Sequence, residues 1–142
     1  MKESDNRQKK IIEEFKILEN DLEMSVKYLM EIGEKLDSLE EKFKEEENLV
    51  SGCQSKVWLI AKNKDEKIYY EGDSNTSITK GLLALLIRIF SDLSIKEVLN
   101  TKIFFPKEIG LDRFIGTQRS NGFYSIENKI KYLAMCKIDN YE

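Results

Sequence analysis

The chain has 142 residues, 41% of them hydrophobic and 35% charged, which suffices for one domain with its own core and is too little for two of ordinary size. With 26 acidic against 23 basic residues the formal charge is −3, so no electrostatic footprint for a phosphate backbone exists and a nucleic-acid partner is disfavoured. Two cysteines at no motif spacing and no histidine argue against a disulfide framework and against a four-coordinate zinc site.

The N-terminal "MKESDNRQKK" is charged and has no signal-type apolar stretch; residues 1–10 are expected to be frayed. From Ile11 the pattern is helical. Ile11, Phe15, Leu18 and Leu22 step by four and three, and Leu29, Ile32, Leu36 and Leu39 do the same. Asn20 followed by Glu23 is a capping-box pattern that starts a second helix. The reading is an N-terminal helical pair, with one continuous coiled-coil helix as the rival, weakened by Ser25 and Gly33. "EEKFKEEEN" at 40–48 reads as a solvated helix end and linker.

"SKVWLIAKN" and "KIYYEGDS", rich in β-branched and aromatic residues, read as an antiparallel hairpin around "KNKDE". Val57, Leu59 and Ala61 share one face, with Trp58 and Ile60 on the other. "SITKGLLALLIRIF" is apolar nearly all round and reads as the central helix, with Thr76 and Ser77 as candidate caps. The longest apolar run, "GLLALLIRIF" at 81–90, contains Arg88 and is about half the ~20 residues needed to span a bilayer, so no membrane segment is expected and the protein reads as cytoplasmic. Ser94 and Glu97 form a capping box, "FFPKEIG" a short turn closed by Gly110, and a last helix begins near Thr117 with Phe123, Ile126, Ile130 and Leu133 inward. Helices, a hairpin, then helices make an α+β arrangement in a single domain over 1–142.

Cys53 stands at the turn before the first strand. A free cysteine is usually a small buried hydrophobe, yet Ser51, Gly52, Gln54 and Ser55 around it are the composition of a loop tip. Without histidine, a thiol-based acyl transfer lacks its paired base, whereas sulfur exchange tolerates a thiol with a pKa of ~8.5. Cys136, in "LAMCKI", reads as core filling. "GDSNTSITKG" lacks the glycine and closing glutamate of a calcium loop and the glycine-lysine-hydroxyl ending of a phosphate loop, so it reads as a strand end passing into a capped helix. In "TQRSNG", Thr117 reads as a cap, and Arg119 as either a surface charge or a contact for a carboxylate or partner.

Three segments in order, "GCQSKVWL" at 52–59, "GDSNTSITKGLLALL" at 72–86 and "QRSNG" at 118–122, resemble the SufE family of sulfur acceptors in iron–sulfur cluster assembly, CsdE included. "YLMEIGEKL" at 28–36 adds a less specific likeness. The resemblance implies a fold shared with IscU, a small antiparallel sheet packed against helices. It implies that Cys53 accepts a persulfide sulfur from a pyridoxal-phosphate-dependent cysteine desulfurase of SufS or CsdA type, stimulates it, and passes the sulfur to a cluster scaffold. Gly52, Gln54, Ser55, Asp73 and Arg119 match residues expected to shape or bind at that site. No cofactor or metal of its own is implied, the chain acting as an acceptor and activator rather than an autonomous enzyme, as a monomer or weak dimer. Departures from the family pattern stand near Met24 (for tryptophan), at Asn75 (for aspartate) and at Gln118 (for serine). The loop is expected to tuck Cys53 against hairpin and central helix at rest and to swing out on docking. The alternatives are a non-catalytic helical interaction module with an incidental cysteine and, more remotely, a thiol hydrolase.

Overall fold

The computed structural model describes residues 2–138. Helix α1 (Glu3–Lys16) is followed by α2 (Leu22–Glu34), two 3-10 turns (Glu41–Phe43 and Glu46–Asn48), strands β1 (Val57–Lys64) and β2 (Lys67–Ser74), and helices α3 (Ser77–Phe90), α4 (Ile95–Asn100), α5 (Phe105–Ile109), α6 (Leu111–Ile115) and α7 (Thr117–Ile138). The layout is α+β, a two-stranded antiparallel sheet packed with helices.

Most of the segment expected to fray is the opening of α1, because its polar side chains have backbone partners elsewhere. The fully buried Gln8 donates to the Lys102 carbonyl at 2.9 Å and accepts from the amides of Phe104 and Phe105 at 2.8 and 3.2 Å. Arg7 donates to the carbonyl of Ile89 at 3.0 Å and to that of Ser91, among the groups a helix end leaves unpaired. Two helices, not one, form the N-terminal pair. The chain breaks at Glu19 and Asn20, both at positive φ (52° and 64°), and Asp21, one residue later than the expected cap, accepts from the Met24 amide at 3.0 Å. Helix α2 then ends at Glu34, so Leu39 is buried from the following segment and not from a helical face.

The hairpin register pairs Lys64 with Lys67, leaving a two-residue turn at Asp65 and Glu66. Both have positive φ (51° and 65°), the mirror-image turn whose twist suits the strands. Val57, Leu59, Ile68 and Tyr70 enter the core, and the Tyr70 hydroxyl donates to the Ile130 carbonyl at 2.8 Å, fastening α7 to the sheet.

Helix α3 is central, with ten of its fourteen residues buried. It packs against α2 at glycine: a Cβ on Gly81 would lie 2.3 Å from the Leu29 carbonyl oxygen, and one on Gly33 would lie 2.7 Å from the Gly81 amide nitrogen. The Ser94–Glu97 capping box of α4 forms as read, and Gly110, left-handed at φ 64°, closes α5. The short α6 was not foreseen. Along α7, Phe123, Ile126, Ile130 and Ala134 are buried and Leu133 only partly, since steps of four carry the stripe from Ile130 to Ala134.

The charge run 40–48 is more than solvated linker. Asp73, buried on β2, meets Lys80 Nζ at 3.2 Å and Lys44 Nζ at 3.3 Å and accepts from the Ser74 amide at 2.8 Å. Lys44 also lies 5.6 Å from the centre of the Trp58 ring, so the run is tied down over the hairpin.

Two stability outcomes follow. Gly81→Ala lowers the unfolding free energy by about 2–3 kcal/mol in chemical denaturation, because the methyl group meets backbone that cannot turn aside; an unchanged midpoint would refute the close approach. Burial raises the Asp73 carboxyl, but the Ser74 amide and the two lysines outweigh it and hold the group below its ordinary value. A depressed folded pKa contributes stability above the unfolded value and loses it as pH falls through the folded one. Asp73→Asn therefore costs about 2–3 kcal/mol at pH 7, the lysines turning partly to water, and the gap from the unsubstituted chain closes below about pH 4.

Candidate functional site: a thiol on a pinned loop

The amide of Val50 donates to the Val57 carbonyl at 2.8 Å and Leu49 bridges to Trp58, so residues 51–56 leave and re-enter the hairpin through a closed neck. Near its tip Gly52 has φ 89°, and a Cβ there would lie 2.5 Å from Ser125 Oγ. Both the dihedral and the close approach to α7 require glycine. The next residue, Cys53, is turned inward: it packs on the core, half-buried, with Sγ 3.5 Å from the Gly122 carbonyl oxygen. Burial pushes its thiol above the ordinary value.

Beyond the cysteine, Ser55 Oγ lies 2.7 Å from Thr76 Oγ1 and accepts from Thr79 Oγ1 at 3.2 Å. The Lys56 amide donates to Asn75 Oδ1 at 3.0 Å, and the Asn75 amide returns a bond to the Lys56 carbonyl at 3.2 Å. The loop is thus held at both ends and against the start of α3.

In front of Cys53 lies a cavity of about 310 Å³. Three elements close it: Met30 from α2, Thr76 through Thr79 at the start of α3, and Gln118, Arg119 and Gly122 from α7. Of the expected site residues, Cys53, Gln54, Ser55 and Arg119 come together in this wall. Arg119 is exposed and donates across the α6–α7 junction to the Ile115 carbonyl at 3.3 Å, leaving guanidinium capacity toward the cavity. Gly52 shapes the loop without lining the cavity. Asp73 is not brought to the wall; its carboxylate is engaged by Lys44 and Lys80 behind the loop. Thr117 is the first residue of α7 rather than its cap. Cys136 departs from the core-filling expectation: it is half-buried and outside the core cluster, beside the exposed Tyr132, whose hydroxyl it holds above its ordinary value.

Sequence reasoning did not pick out Met30, Thr76, Thr79 or Gly122 as parts of one site. Each sat inside a quoted segment, but only packing brings residues from three separate helices together around the thiol. Chemically the arrangement is sparse. Cys53 and Arg119 are the ionisable groups of the cavity wall among the described residues, so no general base stands beside the thiol. Among those residues, no three His, Cys, Asp or Glu side chains are grouped to hold a metal ion, and no helix is long and apolar enough to cross a membrane.

A match to the family described as "SufE: Fe-S metabolism associated domain" covers residues 9–134. The chain belongs to the SufE family. Its place is therefore in iron–sulfur metabolism, as the sequence motifs implied. Among curated relatives, the "Cysteine desulfuration protein SufE" of Wigglesworthia glossinidia brevipalpis is 39% identical over 113 residues, 77% of each chain. An uncharacterized SufE-like protein of Synechocystis sp. is 36% identical over 82% of this chain and 73% of its own length. The solution structure of a hypothetical protein from Thermus thermophilus superposes with a TM-score of 0.76, covering 94% of this chain and 96% of that one at 20% identity, a likeness of fold.

The seat of the thiol has a measurable consequence. In the native protein the rate of Cys53 alkylation rises with pH to a midpoint above the ordinary ~8.5, and in denaturant the midpoint falls back to it. A native midpoint at or below the ordinary value would contradict the burial.

Proposed function

We propose that this SufE-family chain is a sulfur-transfer protein that accepts sulfane sulfur on Cys53 from a cysteine desulfurase of SufS or CsdA type, stimulates that enzyme by removing its product, and passes the sulfur on for cluster assembly. The observation that carries the reading is a half-buried thiol near the tip of a short pinned loop, facing a cavity without a base. A hydrolase would need that base; sulfur exchange does not.

In the transfer step the Cys53 thiolate attacks the outer sulfur of the desulfurase persulfide. A new Sγ–S bond forms and the bond between the two partner sulfurs breaks. The desulfurase cysteine leaves as thiolate and takes up the proton that Cys53 gave to solvent, so no net oxidation occurs. The sulfane sulfur then moves at the same oxidation level onto a thiol of the downstream scaffold, by a second exchange. Reaching the partner's site takes Cys53 out of its pocket. Leaving also removes the desolvation that keeps the thiol protonated, so extension and activation are one event.

Within this reading Gly52 supplies the turn, Gln54 and Ser55 flank the acceptor, and Arg119 faces the sulfur or the docked partner. Asp73 has a supporting role, bracing the strand end that feeds α3. A reducing compartment such as the cytosol is assigned, because the acceptor must be a free thiol.

Incubation with a SufS-type desulfurase and free cysteine, followed by intact-mass analysis, tests the assignment. The expected result is one added sulfur on the unsubstituted chain, located at Cys53, and none on Cys53→Ser. A wild-type mass without added sulfur would overturn it.

A further inference from the structure

The hydroxyl groups at the start of α3 point to the loop that carries Cys53. Thr76 occupies the N-cap position, yet its side chain makes no bond to the first-turn amides; a threonine there ordinarily accepts one. Its hydroxyl is instead 2.7 Å from Ser55 Oγ. Thr79, the third residue of the helix and buried (7% exposed), sits in the first turn, where the carbonyl four residues earlier, that of Asn75, lies outside the helix. Its hydroxyl donates to the same Ser55 oxygen at 3.2 Å. Two helix hydroxyls thus converge on one loop side chain, two residues beyond the acceptor cysteine, and both line the cavity that Cys53 faces.

We infer that Thr79, together with Thr76, is a positioning residue for sulfur acceptance: through Ser55 it is the catch that holds the Cys53 loop in its inward position. The inference rests on the sulfur-acceptor reading for its purpose but not for its geometry. With the catch closed, the loop can move only from Ser51 to Gln54, because Ser55 is fixed to α3. With it open, the movable span extends to Lys56, whose bonds to Asn75 and the Val50–Val57 neck then define the hinge. The catch is made of neutral hydroxyl bonds, one of them to the exposed Thr76, so each contributes modestly and a docking surface can displace them. An exposed ion pair in its place would be screened by salt, whereas hydroxyl bonds make a release that is insensitive to ionic strength.

The test is native-state alkylation of the full chain by iodoacetamide at fixed pH, with peptide mass resolving Cys53 from Cys136. Thr79→Val keeps the shape and removes the hydroxyl; Thr79→Ser keeps the hydroxyl. The valine variant is expected to alkylate at Cys53 about three- to tenfold faster, the range one such hydrogen bond covers, with the Cys136 rate unchanged and the serine variant close to wild type. Ser55→Ala, which removes both bonds, should accelerate alkylation at least as much, and adding Thr79→Val to it should give no further increase, because Thr79 acts through Ser55. Thr76→Val, at an exposed position, is expected to give a smaller acceleration. A wild-type rate in Thr79→Val, a serine variant that behaves like valine, a multiplicative double variant, or a parallel rise at Cys136 would each overturn the inference. Since no desulfurase enters the measurement, failed persulfide loading would refute the sulfur-acceptor reading and leave the catch standing, and the reverse holds equally.

Discussion

Everything else in the molecule is arranged around the burial of α3. Its apolar surface extends nearly all round, so no single partner can cover it; α2, the hairpin, α1 and α7 each take a side. The contact with α2 is possible only because Gly33 and Gly81 let two backbones meet. Once these neighbours are in place, the first turn of α3 emerges beside the loop carrying Cys53, and the N-terminal turns of α7 close the cavity from the other side. The site is a consequence of covering one helix on all faces.

Desolvation governs the chemistry of the thiol more than any charge near it. Burial is the cause of the raised Cys53 value, and the thiol's hydrogen-bond partner is a backbone carbonyl, which stabilises the protonated form. A cysteine so placed is quiet at rest and becomes an ordinary nucleophile when it moves into water or a partner's site. That coupling would suit the carrier role proposed for Cys53: with the loop in, reaction with small thiols or oxidants would be slow, and no separate activating base would have to be built. The polar bonds of the loop, from the neck at Val50 to the hydroxyls at Ser55, set how firmly this resting state is held.

Much of this was legible in the residues. Richness in β-branched and aromatic residues on either side of "KNKDE" gave the hairpin its bounds within a residue or two, the Ser94–Glu97 box gave α4, and the apolar run 77–90 marked the central helix. The short turns were less legible. Asn20 and Asp21 are both good caps, and which one serves depends on where the positive-φ break falls. Residues 3–10 looked like a free end because their polar side chains bond to carbonyls and amides about 80 to 100 positions away, which no local pattern encodes. The same holds for Lys44, one cation in a charge run until Asp73 is placed beside it.

The sequence by itself determined that one cysteine stands in a polar loop before the first strand, with a glycine beside it and no histidine in the chain, and it set the α+β order of elements, because these depend on composition and on periodicities of two and of 3.6 residues. Only the tertiary structure decided that Cys53 points inward, that Arg119 shares its cavity while Asp73 does not, and that the hydroxyls of Thr76 and Thr79 meet at Ser55. Those relations join segments far apart in the chain, and they are set by how helices pack around α3, which spacing along a sequence does not record.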